Sequence, residues 1–460
     1  MLPLADLSAR IRQRSLSPVE LAEAHLARIE QFDDELHCYL TVTAERARSD
    51  ARRAEEEIAR GAWRGPLHGI PIALKDLFDT AGLRTTAGSR VLRGRGPTRD
   101  AAVVERLAAA GAVLLGKLTL HEFAMGSPRL DDFFPPARNP WDLNRIPGGS
   151  SSGSAVALAT GLCAGSLGSD TGGSIRHPAA HCAIVGLKPT FGLVSRRGAT
   201  VLSWTLDHVG PMARTVEDAA IILQAIAGYD PADPASARAA IPDYRAARHG
   251  AISGVRIGVP RAYVEATPGL EPEVLAAFDA ALEVLRQRGA EVRDVTLPMA
   301  EHAEAILLTI LLSEAIAYHA PWLRARRHEY GQGFSVRLLP GLFFTAADYV
   351  QAQRGRRLLC RGMDELMAEV DLIATPTMPR AAPTFAEEAA ASPIPRSPCT
   401  RLFNITGQPS ISVPGGLGRH GLPVGLMLSG RASDEPTVLR VAASYERATE
   451  WHGRIPPLLT

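Results

Sequence analysis

PGGSSSGSAVALATGLCAGSLGSDTGGS, residues 147–174, is the stretch on which the fold reading turns. Eight of its 28 residues are glycine and seven are serine, a composition that ordinarily marks a flexible linker. Yet its two Gly/Ser knots, PGGSSSGS and GSDTGGS, enclose an apolar helical run of small residues from Ala155 to Cys163. A second apolar run, Cys182 to Leu187, follows. No break in composition surrounds the segment. A linker is not threaded through core-forming sequence, so this stretch reads as ordered backbone inside a domain.

Working outward, GIPIAL (69–74) is a short apolar run bounded by Gly and Pro, a buried strand with Lys75 and Asp76 at its end. Residues 101–110 then read as a helix stopped by Gly111, and 112–115 as another strand. Upstream, Ser17-Pro18-Val19-Glu20 has the pattern of a helix start, a capping serine followed by proline at the first helical position. Leu21, Leu26, Ile29 and Phe32 share a face of that helix, and a second N-terminal helix covers 44–60. Downstream, Val255, Ile257 and Val259 alternate as a strand, and Val274, Phe278, Ala281 and Leu285 repeat as a helix that Gly289 terminates. Further strands are expected at 371–375, 410–413 and 424–428, and a last helix near 437–447. The rhythm is that of an α/β fold, with no fixed-period repeat.

The 460 residues, 46% of them hydrophobic, are enough for a large core. Fifty Lys plus Arg against 49 Asp plus Glu leave a formal charge of +1, without the positive field that phosphate-backbone binding demands, so nucleic acid is not a direct ligand. The basic stretches Arg324 to Arg327 and Arg354 to Arg357 read as solvated helix faces. Five scattered cysteines without CxxC spacing point to a reducing compartment and to neither disulfide nor metal. The N-terminus lacks the apolar segment of a secretory signal. No run reaches the ~18 apolar residues of a membrane span, and the nearest, Ala305 to Leu312, is stopped by Ser313 and Glu314. A cytoplasmic protein without membrane attachment is expected.

A serine hydroxyl attacks a carbonyl only if a base takes its proton, and a neutral lysine serves where burial lowers its pKa. Lys75, at the end of a buried strand, has that opportunity. Thr171, Gly172, Gly173 and Ser174 form either a tight turn or a set of backbone N–H groups turned toward a reacting carbonyl oxygen. Residue types alone do not choose between them.

GGSSSGSA (148–155) followed by DTGGSIRHPA (170–179) resembles the amidase signature family. The resemblance extends over HGIPIALKDLFDTAGLRTTAGS (68–89), GAVLLGKLTLHEFAMG (111–126) and NPWDLNRIPGG (139–149). It continues in VGLKPTFGLVSRRG (185–198), DHVGPMARTVEDAA (207–220), DLIATPTMP (371–379) and FNITGQPSISVP (403–414). It implies a single α/β domain over residues 1–460, a central mixed sheet surrounded by α-helices, with the signature core at about 60–220 and a variable region at about 230–349. It also implies a Ser-cisSer-Lys triad: Ser174 as nucleophile, Ser150 as relay after a cis peptide bond, and Lys75 as base. Thr171, Gly172 and Gly173 would supply the oxyanion hole, and Met125 and Ser151 would contact substrate. No cofactor or metal is implied.

The chain departs from the family pattern at Ser152 and Ala183, where glycine is usual, and at Leu193, where arginine is frequent. Asp170 and Arg176 are expected to clamp the nucleophile loop, Ser151 and Ser154 to brace the Gly/Ser turn, and His177, His181 and His208 to be local hydrogen-bonders. His121-Glu122 begins a zinc motif that Met125 breaks. Phe334, Leu342, Phe343 and Phe344 are expected in the core or at an apolar entrance. The resemblance implies a free-standing amidase acting on a small-molecule amide, ester or carbamate, with homodimers a family tendency. The alternative is the glutaminase (A) subunit of a tRNA-dependent amidotransferase.

Overall fold

The apolar runs pair into one sheet in the computed structural model, which describes residues 2–391 and 398–459. Its strands are β1 (Tyr39–Val42), β2 (Pro71–Lys75), β3 (Val113–Leu118), β4 (Gly165–Asp170), β5 (Val185–Lys188), β6 (His208–Ala213), β7 (Arg256–Val259), β8 (Glu291–Asp294), β9 (Leu372–Pro376), β10 (Ser410–Leu417) and β11 (Pro423–Gly430). They lie in the order β1-β3-β2-β4-β6-β5-β10-β11-β9-β7-β8. β3, β2 and β4 run parallel, as do β9, β7 and β8, and an antiparallel block from β4 through β6, β5, β10 and β11 to β9 joins the two sets. Parallel neighbours need crossover connections, and the helices between them cover the sheet.

Both faces of the sheet are buried. In β2, Ile72 and Leu74 point into one apolar cluster, while Ala73 points into another that contains Val156 and Leu158 from the helix Ser152–Ala159. That helix is the apolar run between the two Gly/Ser knots. Pairing Ile72 with Gly165 and Leu74 with Leu167 sets Lys75, the last residue of β2, beside the C-terminal end of β4. Carboxyl ends of parallel strands are where such sheets place their sites.

The expected strands and helices form, with ends shifted by a few residues. Ser17 caps the helix Pro18–Leu36, accepting hydrogen bonds from the Val19 and Glu20 amides. β4 and β6 are not apparent from alternation, because β4 (GSLGSD) is made of small residues. A Cβ added at Gly168 would lie 2.8 Å from both Met212 Sδ and Ser151 Oγ, so close packing, rather than an apolar pattern, dictates its sequence.

The helix Ala300–Arg326 corrects the expected interruption at Ser313 and Glu314. By length and composition alone the span Ala300–Glu329 is sufficient to cross a membrane. Here it lays Ile306, Leu307, Ile310, Leu311 and Ala315 into the core, and buried Glu314 accepts hydrogen bonds from Ser203, Thr205 and Tyr349. Phe334 is core, whereas Leu342 and Phe343 are exposed, the latter at 84%. Arg354 and Arg357 are exposed as expected, but Arg356 turns inward and donates to the Ile405 and Thr205 carbonyls.

Candidate active site

Lys75 is fully buried, and its Nζ donates to three hydroxyls: Ser150 Oγ at 2.7 Å, Ser151 Oγ at 2.9 Å and Ser169 Oγ at 2.9 Å. Ser150 and Ser151 precede the helix Ser152–Ala159, and Ser169 belongs to β4. The peptide bond Gly149–Ser150 is cis. Glycine is required at 149, since a Cβ there would stand 2.1 Å from the His121 ring. Burial pushes the Lys75 amine down to about 7, with the charges of Asp170 and Asp207 pulling the other way.

Ser174 is half-buried and opens, with Ser150, Thr171 and Gly172, onto a cavity of about 330 Å³. Among the described residues its hydroxyl makes no hydrogen bond. The Lys75–Ser150 link is therefore formed in this structure and the Ser150–Ser174 link is not. The main chains do meet: Ser151 N donates to the Ser174 carbonyl at 3.2 Å, and His121 N donates to the Ser150 carbonyl at 3.1 Å.

The loop that presents Ser174 is held by a buried ion pair. Arg176 donates to Asp170 through Nη2 at 2.9 Å and Nε at 3.0 Å, and its charge, with that of Lys188 and the Asn404 hydrogen bond, holds the Asp170 carboxyl far below the usual carboxylate range despite its burial. The helix Pro398–Ile405 completes the clamp. Asn404 Nδ2 donates to Asp170 Oδ1 at 2.8 Å, Arg176 Nη1 donates to the Thr400 carbonyl at 2.9 Å, and Thr400 Oγ1 donates to the Gly172 carbonyl at 2.7 Å. A profile of the amidase family matches residues 20–439.

The chain belongs to the amidase family. It is thus an enzyme that hydrolyses C–N amide bonds. The glutaminase (A) component of the glutamyl-tRNA(Gln) amidotransferase of Roseiflexus sp. is 44% identical over 99% of this chain and 98% of its own. An s-triazine catabolic enzyme, solved in a study of a vestigial protein complex, superposes with a TM-score of 0.90 at 34% identity, covering 97% of this chain and 98% of its own. The peptide amidase of Stenotrophomonas maltophilia gives 0.84 at 34% identity, covering 99% and 98%.

Two sequence expectations for this amidase need correction. Gly173 N donates to Asp170 Oδ1 at 2.7 Å, so it is committed to the clamp and not open to an oxyanion. Among the described residues the N–H groups of Thr171, Gly172 and Ser174 donate to nothing. Ser151 does not face the cavity; it is buried, accepts from Lys75 and donates to the Ser169 carbonyl. Ser169 itself was not foreseen, and only the β2–β4 pairing would have revealed it.

Met125 lines the cavity. Ser154 braces β4 through the Leu167 carbonyl. His177 is bonded to Thr400 Oγ1, His181 to the Arg380 carbonyl and His208 to the Leu206 carbonyl, as expected of local hydrogen-bonders. Burial holds His177 near 3 and His181 near 4, so both are neutral at pH 7. Ala183 ends the helix Arg176–Cys182 at φ +54°, the left-handed conformation that makes glycine usual there.

Proposed function

We propose that this amidase releases ammonia from a small carboxamide through an acyl-enzyme on Ser174, and that it does so as the glutamine-hydrolysing component of an amidotransferase. The observation carrying the mechanism is the buried Lys75–Ser150 hydrogen bond, on an amine poised near 7, beside a serine that opens into the same cavity.

Ser174 Oγ attacks the amide carbon, and its proton passes to Ser150 Oγ as the proton of Ser150 passes to Lys75 Nζ. The relay needs the Ser150–Ser174 contact to close on substrate binding, which rotation of the unbonded Ser174 hydroxyl supplies. The N–H groups of Thr171, Gly172 and Ser174 are free to stabilise the oxyanion. As the C–N bond breaks, Lys75 returns the proton through Ser150 to the leaving nitrogen. Water then attacks the ester by the same relay, regenerating Ser174 and yielding the carboxylate.

End-to-end similarity to the glutaminase component of an amidotransferase favours that role over a free-standing amidase. The partners are accordingly companion subunits, with the tRNA bound through them, since this chain carries a formal charge of only +1. The test is to assay the purified chain, by itself and with companion subunits, for ammonia from glutamine and from aryl and aliphatic amides. Stimulation of glutamine turnover by the companions is expected; vigorous partner-independent turnover of aryl amides alone would assign a free-standing amidase. Labelling by a fluorophosphonate, abolished in Ser174→Ala, is the expected result for the nucleophile.

A further inference from the structure

The charges around the cavity are unequal. Arg337, Arg380 and Arg401 line it, against one carboxylate, Glu388. The histidines in the wall do not change the balance, since burial holds His121 near 3, His177 near 3 and His181 near 4. Two of the guanidiniums are matched. Arg337 Nη2 pairs with Glu388 Oε1 at 3.3 Å while Nη1 donates to the Gly126 carbonyl at 2.8 Å. Arg401 pairs with Glu304 at 3.1 Å from behind the wall.

Arg380 is different. Its backbone carbonyl accepts from His181, but among the described residues its guanidinium has neither a hydrogen bond nor an ion pair. The matched pairs also remain short of negative charge: Arg337 and Arg401 are both held below the ordinary arginine value by burial, and the charge of Arg401 depresses Arg337 further. Arg401 belongs to the helix that clamps the nucleophile loop, with its Cγ 3.8 Å from where a Cβ on Gly172 would sit. The positive surplus therefore borders the loop where the acyl group would be bound.

Opposite these charges the wall is aliphatic, with Leu307, Leu308, Leu311 and Leu312 from the helix Ala300–Arg326. A ligand suited to this cavity has methylenes along one side and an anion at the basic side. We infer that Arg380, in the field of Arg337 and Arg401, binds a carboxylate on the acyl portion of the substrate, so that the enzyme selects amides that are anionic away from the scissile bond. Amino-acid side-chain amides such as glutamine and monoamides of dicarboxylic acids share this chemistry. The inference rests on the acyl-enzyme reading of the cavity and adds to it the class of substrate.

The test compares kcat/KM for succinamate with that for butyramide, its neutral isostere, and for glutamine. The expected result is a preference of about tenfold or more for succinamate over butyramide, as a charge-assisted contact to a guanidinium confers. Arg380→Gln should collapse that ratio. Glu388→Gln, which removes the one carboxylate of the wall, should raise it. Since each value is a ratio of two substrates on one preparation, loss of folded enzyme cancels. Stronger inhibition of the wild type by succinate than by butyrate is the matching result that needs no variant.

A wild-type ratio near or below one, or a ratio unchanged in Arg380→Gln, overturns the inference while leaving the acyl-enzyme intact. Absence of both amide turnover and fluorophosphonate labelling would instead overturn the mechanism beneath it. The glutamine arm separates the two sources: turnover exceeding that of succinamate assigns the amino-acid amide, and the reverse assigns the dicarboxylate monoamide.

Discussion

Ser169→Ala removes one of the three hydroxyls that surround Lys75 Nζ without touching the relay or the nucleophile. As an ammonium, Lys75 has three protons for three acceptors; as a neutral amine it has two protons and a lone pair. Deleting one acceptor therefore costs the charged form a charge-assisted bond and the neutral form only an ordinary one. Such bonds are worth about 1.5–3 and about 0.5–1.5 kcal/mol respectively, a difference of about 1–1.5 kcal/mol, which is about one pKa unit. The direction is downward, because the charged form loses more. From about 7 in the parent, Lys75 should move to about 6.

Only the neutral amine accepts a proton, so the acid limb of the kcat/KM profile reports this group in the free enzyme. Measured between about pH 5 and pH 9, that limb should shift to lower pH in Ser169→Ala, and the plateau should fall modestly because a weaker base drives the transfer less. An acid limb that stays in place or moves upward would refute the assignment of Lys75 as the titrating base, or of Ser169 as its partner.

Lys75→Ala should lower kcat by about 10²–10⁴, the usual contribution of a positioned general base, with substrate inhibition constants little changed. Ser152→Ala should keep most activity, since Ser152 is buried at the start of its helix and bonds neither to Lys75 nor to the relay; a loss as deep as that of Ser150→Ala would reassign the relay. Asp170→Asn leaves the Arg176 charge buried without a counter-ion and should destabilise the fold by about 3–5 kcal/mol, read by denaturant unfolding. A change below about 1 kcal/mol would mean that Asn404 and the Thr400 carbonyl suffice to hold Arg176.

The sequence revealed what chemistry and local pattern dictate, and concealed what depends on distant pairing. GIPIAL was readable as a strand because its residues are apolar and bounded by Gly and Pro, and Lys75 was conspicuous as a charge at its end. β4 was not readable, since packing of Gly168 against Met212 and Ser151 demands small residues in place of an apolar alternation. Ser169, which lies in β4, was hidden with it. Ser151 was misread for a related reason: neighbouring residues of a turn face opposite ways, and spacing did not say which of 150 and 151 looks into the cavity. Gly173 looked like an oxyanion donor until the side chain that takes its N–H, Asp170, was seen beneath it. Arg337, Arg380 and Arg401 had no motif to announce them, and they converge only through the fold.

The position of β10 and β11 in the sheet has a consequence for biosynthesis. These strands come last in the chain, yet they are inserted between β5 and β9. A growing polypeptide that has emerged from the ribosome through Ser174 already possesses lysine, relay and nucleophile, but neither the middle of its sheet nor the Thr400 and Asn404 contacts that fix the nucleophile loop. Hydrolysis must therefore wait for translation to finish, and fragments truncated before Ser410 should be inert whatever residues they retain.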